Sequence, residues 1–156
     1  VSAAALVAAL TARHLTVTTA ESCTGGLIAA ALTDIPGSSA IFTHGFVTYA
    51  NEAKTQLLGV SPDLLATVGA VSPEVAAAMA SGARTRAGAN LAVSTTGIAG
   101  PDGGSPKKPV GTVWFALASP SGVATYTQIF PGDRAQIRRA ATAFALALLT
   151  QEVSTK

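Results

Sequence analysis

The chain has 156 residues and a net charge of +2, from ten basic and eight acidic side chains that are scattered along it. Hydrophobic residues make up 49% and charged ones 12%, which excludes a disordered chain and suits a single domain that buries roughly 70% of its unfolded surface. Aromatic residues amount to only 5%, too few to stack on bases, so a nucleic-acid partner is not expected.

Taken in chain order, the pattern alternates. Residues 2–13 carry apolar side chains at helical spacing and lack the basic start of a signal peptide. Residues 15–20 read as a strand, and 24–33 as a helix that stops at Asp34-Ile35-Pro36-Gly37. Residues 41–49, rich in β-branched and aromatic side chains, read as a strand, and a short helix starts at Asn51. Ser61-Pro62-Asp63 and Ser72-Pro73-Glu74 each combine an N-cap serine, a proline at the first helical position and an acid in the first turn. The second of these helices is predicted to reach about Arg86. A short buried strand at 91–95 follows. Strands at 110–118 and 123–130 flank the turn Ser119-Pro120-Ser121-Gly122 as an antiparallel hairpin. The last helix begins near Asp133 and places Ile137, Ala141, Phe144 and Leu148 on one face. Alternating helices and strands with one hairpin predict a three-layer α/β/α domain with a mixed sheet, spanning 1–156. Residues 97–109 break the pattern with four glycines, three prolines and two lysines, and an irregular segment of that length is usually functional or mobile.

Several constellations could carry chemistry. Thr19-Ala20-Glu21-Ser22-Cys23-Thr24-Gly25-Gly26 joins a strand to a helix. It delivers hydroxyls, a carboxylate and a thiol to a helix N-terminus, where free N–H groups suit an anion or a developing oxyanion. Ser22 or Thr24 could instead be a plain helix cap. Cys23 is either a thiol whose pKa falls at the helix start or a small buried hydrophobe. Asn51 and Lys54 open the helix after a strand, as cap and solvated side chain or as site residues. Thr95-Thr96-Gly97 ends a strand, where α/β proteins place their sites. Arg134 and Arg138 lie one turn apart at the start of the last helix, on a solvated face or facing a phosphate. His14 and His44 are lone histidines, too few for a catalytic zinc site, and there is no P-loop or dinucleotide fingerprint. No metal is expected. The single cysteine permits no intrachain disulfide, no apolar run approaches the ~20 residues of a membrane span, and a cytoplasmic location is expected.

Five blocks together resemble the CinA C-terminal domain family. They are residues 19–26, Gly45-Phe46-Val47-Thr48-Tyr49-Ala50-Asn51-Glu52-Ala53-Lys54, Gly69-Ala70-Val71-Ser72, Thr96-Gly97-Ile98-Ala99-Gly100-Pro101-Asp102-Gly103-Gly104, and Lys108-Pro109-Val110-Gly111-Thr112-Val113. Characterised members are nicotinamide-nucleotide amidases. The resemblance implies cofactor-free hydrolysis of the carboxamide of nicotinamide mononucleotide to nicotinate mononucleotide and ammonia. It also implies that Ser22 is the nucleophile and Lys54 its base. Tyr49 and Thr96, in neighbouring blocks, are expected to orient the lysine or the leaving ammonia. The oxyanion is expected against the N–H groups from Cys23 to Gly25. The substrate-binding set is Glu21, Cys23, Thr24, Gly25, Gly97, Gly100, Gly103, Gly104 and Arg134, the last with the glycine-rich loop taking the phosphate. The partner is a small molecule rather than nucleic acid or membrane, and the apolar faces of the terminal helices favour a homodimer. A non-catalytic nucleotide-binding module is the rival reading, and a cysteine amidase using Cys23 a third.

Overall fold

In the computed structural model, which describes residues 2–155, β1 (Val17–Glu21), β2 (Gly45–Val47), β3 (Leu91–Gly97), β4 (Thr112–Ser119) and β5 (Gly122–Ile129) form one sheet in the order β2-β1-β3-β4-β5. β1 runs parallel to β2 and to β3, while β3–β4 and β4–β5 are antiparallel. The helices are α1 (Ala3–Ala12), α2 (Leu27–Thr33), α3 (Asn51–Leu58), α4 (Pro62–Val68), α5 (Pro73–Ala87) and α6 (Arg134–Ser154). β2 and β3 lie on opposite sides of β1, and both crossovers must be right-handed. The helix leaving β1 and those leaving β2 therefore cover opposite faces. The three-layer α/β/α prediction holds.

The two faces are packed differently. Leu6, Leu10, Ile28, Leu32, Val93, Phe115, Ile137 and Leu149 fill the side covered by α1, α2 and α6; burying each large side chain contributes about 1.5–3 kcal/mol. Small residues dominate the other side, where Ala76, Ala80 and Ala83 of α5 meet Ala92, Ala116 and Ala118 of the sheet. α5 also presses on α3: a Cβ on Gly82 would stand 1.9 Å from the Leu58 carbonyl oxygen. This close approach fixes α3, and with it Lys54, over the end of β1.

Local chemistry explains the ends. Ser61 and Ser72 cap α4 and α5 as expected, and Asp133 with Gln136 forms a reciprocal capping box on α6. Two expectations need correction. The strand expected at 41–49 is reduced to three residues, because residues 38–40 form a 3₁₀ turn and pairing with β1 begins only at Gly45. α2 starts at Leu27 rather than near residue 24, since Gly25 (φ +59°) and Gly26 (φ +108°) hold left-handed backbone that a helix cannot continue through.

Candidate active site

Strand pleating decides which side chains reach the site. Successive residues of a strand point to opposite faces, and β1 is regular to its end. Ser22 thus turns toward α3, and Glu21 toward α2. Lys54, in the second turn of α3, is 1% exposed. Its Nζ lies 3.0 Å from Ser22 Oγ, and it donates to the carbonyls of Thr48 (2.9 Å) and Tyr49 (3.2 Å). Its hydrogen-bond partners are a hydroxyl and two carbonyls, with no carboxylate among them. Burial therefore dominates and lowers the ammonium from its ordinary 10.5, against weaker opposing effects of Cys23 and Glu52. A neutral Nζ keeps two N–H bonds to the carbonyls and turns its lone pair to the serine. That is the arrangement of a general base beside its nucleophile.

The turn from Ser22 to Gly26 is held from both sides. Glu21, wholly buried, caps α2: Oε1 accepts from Thr24 Oγ1 (2.6 Å) and from the N–H groups of Gly26 and Ile28, and Oε2 from Ala29. Ser22 N–H donates to Thr95, Gly25 N–H to Ser22, and Leu27 N–H to Thr24. The guanidinium of Arg138 donates to the carbonyls of Cys23 (3.1 Å) and Thr24 (3.2 Å). Among the described residues, the N–H groups of Cys23 and Thr24 in this turn meet no acceptor, a pair suited to an oxyanion.

A cavity of about 190 Å³ opens here, lined by Ser22, Cys23, Tyr49, Asn51, Lys54, Ala70, Val71, Thr96, Gly97 and Ala99. A larger one, about 700 Å³ between α5 and the β4–β5 hairpin, adjoins it at Val71 and includes neither Ser22 nor Lys54. Ser22 and Lys54 both line the smaller cavity.

Of the expected residues, Ser22, Lys54, Tyr49, Thr96, Cys23 and Gly97 are brought together. Tyr49 orients Lys54 through its carbonyl, while its exposed hydroxyl accepts from Arg134 (2.9 Å). Thr96 donates to Ala70 O (2.8 Å), holding the cavity wall rather than the lysine. Arg134 also donates to Gly100 O (2.8 Å), so it stands at the rim. The others are corrected. Both Glu21 oxygens are consumed by α2, which removes it from the substrate set. The Thr24 hydroxyl is buried on Glu21 and Thr95, leaving only its backbone for a ligand. Gly25 spends its N–H on Ser22, so the oxyanion donors narrow to two. Gly103 and Gly104 close on Ile98 and Val110 rather than on the cavity. The Cys23 thiol is pushed up to about 11, chiefly by burial, and not down as a helix-start nucleophile would be. Ala70, Val71 and Ala99 are lining residues that no sequence signal marks, and Asn51 lines the cavity as a site residue rather than as the helix cap. Asn51 is the first residue of α3, after an Ala50 cap, and a polar residue at a strand–helix junction was the available signal. Among the described residues no cluster of His, Cys, Asp and Glu could hold a metal ion, and no helix is long and apolar enough to cross a membrane.

Residues 1–153 match the CinA C-terminal domain. The chain is 59% identical over 145 residues to the nicotinamide-nucleotide amidohydrolase PncC of Escherichia coli K12, covering 92% of this chain and 88% of that one. Among solved structures, the competence/damage inducible protein CihA of Agrobacterium tumefaciens superposes with a TM-score of 0.93 at 49% identity, covering 96% of this chain and 92% of the other. A CinA superfamily protein of Klebsiella pneumoniae gives 0.95 at 39% identity, with 99% and 96% covered.

Proposed function

The chain belongs to the CinA C-terminal domain family, and we propose that it is a nicotinamide-nucleotide amidohydrolase that converts nicotinamide mononucleotide to nicotinate mononucleotide and ammonia. The observation that carries the chemistry is the buried Lys54 Nζ, 3.0 Å from Ser22 Oγ and held there by two carbonyls.

Ser22 Oγ attacks the carboxamide carbon as Lys54 takes its proton. The N–H groups of Cys23 and Thr24 receive the oxyanion. Lys54, now an ammonium, returns the proton to the amide nitrogen, and ammonia leaves an acyl ester on Ser22. Water, deprotonated by Lys54, then attacks the ester; the bond from the acyl carbon to Ser22 Oγ breaks as Lys54 returns that proton to Oγ, freeing the carboxylate and restoring both residues. Each step moves one proton through one nitrogen, and none calls for a metal or a cofactor.

At about 190 Å³ the cavity is smaller than the roughly 300 Å³ at which pockets for drug-sized ligands begin. It takes the pyridine carboxamide, and the ribose phosphate lies at the rim, beside Arg134 and the Gly97–Gly100 stretch. We read residues 1–156 as one such domain. It works in the cytoplasm in pyridine-nucleotide recycling, without nucleic acid or membrane, and as a homodimer.

Purified chain incubated with nicotinamide mononucleotide should release ammonia and one equivalent of nicotinate mononucleotide, before and after dialysis against a strong chelator. Binding of the nucleotide without ammonia would make it a binding module. Loss on chelation with recovery by added metal would overturn the metal-free reading.

A further inference from the structure

We propose that Arg138 of α6 is a positioning residue for the reaction, aiming the Thr24 N–H at the site; this rests on the amidohydrolase reading above. The half-buried guanidinium spends two donors on adjacent main-chain carbonyls, Nε on Cys23 (3.1 Å) and the terminal nitrogen on Thr24 (3.2 Å). In a trans peptide the carbonyl and the following N–H point in opposite directions. The Cys23 carbonyl and the Thr24 N–H share one peptide plane. Drawing that carbonyl toward α6 therefore turns the Thr24 N–H away from α6, toward the face of the sheet that carries α3.

Glycine at 25 is part of the same device. A Cβ there would stand 3.0 Å from the guanidinium nitrogen, and the residue holds φ +59°. The guanidinium lies against the turn, and its planar fork reaches two carbonyls at once in a way that an ammonium does not. Glu21 takes the Gly26 N–H, Thr95 and Ser22 take those of Ser22 and Gly25, and Arg138 holds the Cys23 and Thr24 carbonyls. The Cys23 and Thr24 N–H groups are what remain. Arg138 touches neither Ser22 nor Lys54 and is absent from the cavity lining, so its action is through the backbone.

The test uses the full chain with Arg138→Ala and Arg138→Lys, and Arg139→Ala as the exposed control on the same helix. A misplaced oxyanion donor costs rate rather than ground-state affinity, and a displacement of about 1 Å suffices for roughly 100-fold. Arg138→Ala is expected to lower kcat by about that factor with KM little changed and the pH midpoint set by Lys54 unmoved. Free guanidinium ion should restore part of the loss, Arg138→Lys should lie between, and Arg139→Ala should match wild type. Amide NMR supplies a readout that needs no substrate: the Cys23 and Thr24 resonances should shift or broaden in Arg138→Ala while those of β3 and β4 stay in place. If wild type releases no ammonia, the amidohydrolase reading fails, and the NMR result alone decides whether Arg138 orders the turn. Unchanged kcat, a loss expressed in KM, or undisturbed Cys23 and Thr24 amides would overturn the proposal.

Discussion

Glu21 and Ser22 are neighbours in the chain and serve opposite faces of the sheet. The carboxylate is wholly buried under α2 and accepts four hydrogen bonds from the turn and the helix start; the serine hydroxyl meets Lys54 on the other side. A motif that looks like one functional block is thus a structural half and a chemical half, separated by the two-residue period of a strand.

Glu21→Gln tests the structural half. Its amide nitrogen would face an N–H donor, leaving at least one buried donor without an acceptor, which costs about 1–3 kcal/mol. Urea denaturation should show a loss of that size, with wild-type activity largely kept in the fraction that remains folded. A variant as stable as wild type would mean that the turn is held without the carboxylate.

The pH dependence follows from Lys54. Burial lowers its native value below the ordinary 10.5, so the unfolded chain binds the extra proton over the window between the two values. Stability should therefore rise with pH through that alkaline window and lie at its lower level beneath it. The rate should rise with pH as the amine becomes neutral, with its midpoint below the ordinary 10.5. Lys54→Met keeps the stem and loses the base. It should remove this stability slope and slow the chemical step by roughly 100-fold or more. Urea titrations and initial rates at stepped pH measure both. A wild-type slope surviving in Lys54→Met would place the titration elsewhere.

The element order was legible because the local signals agreed: two Ser-Pro-acid helix starts, one hairpin turn, and a breaker at Pro36-Gly37. β2 was not, since β-branched residues at 41–44 favour a strand without showing where pairing starts. In the site, the motif blocks named Ser22 and Lys54. The roles of Glu21, Thr24 and Gly25 depend on which hydrogen bonds the turn makes with itself, and residue type does not report that. In the sequence Arg138 stands out only as half of a pair with Arg134. Its carbonyl contacts to Cys23 and Thr24 span more than a hundred residues of sequence and leave no local pattern.

Arg134 offers a test of where the phosphate lies. It is exposed at the rim, bound to Tyr49 Oη and Gly100 O, with further guanidinium donors to spare. Losing a charge-assisted contact costs about 1.5–3 kcal/mol, or roughly 10- to 150-fold in affinity. Arg134→Ala should raise KM for nicotinamide mononucleotide by such a factor and leave the riboside, which lacks the phosphate, nearly unchanged. Equal losses for both would assign Arg134 to holding Tyr49 and the loop.

If the acyl group passes through Ser22 Oγ, the ester it forms there can be trapped. Cys23, adjacent in the chain, is the competing nucleophile, but its thiol is pushed up to about 11 and buried. Wild type quenched in acid during turnover of nicotinamide mononucleotide, then digested and weighed, should carry the substrate-derived acyl group on Ser22. Cys23→Ala should carry it too and keep substantial activity, while Ser22→Ala should carry none and release no ammonia. An adduct on Cys23, or full ammonia release by Ser22→Ala, would contradict the account.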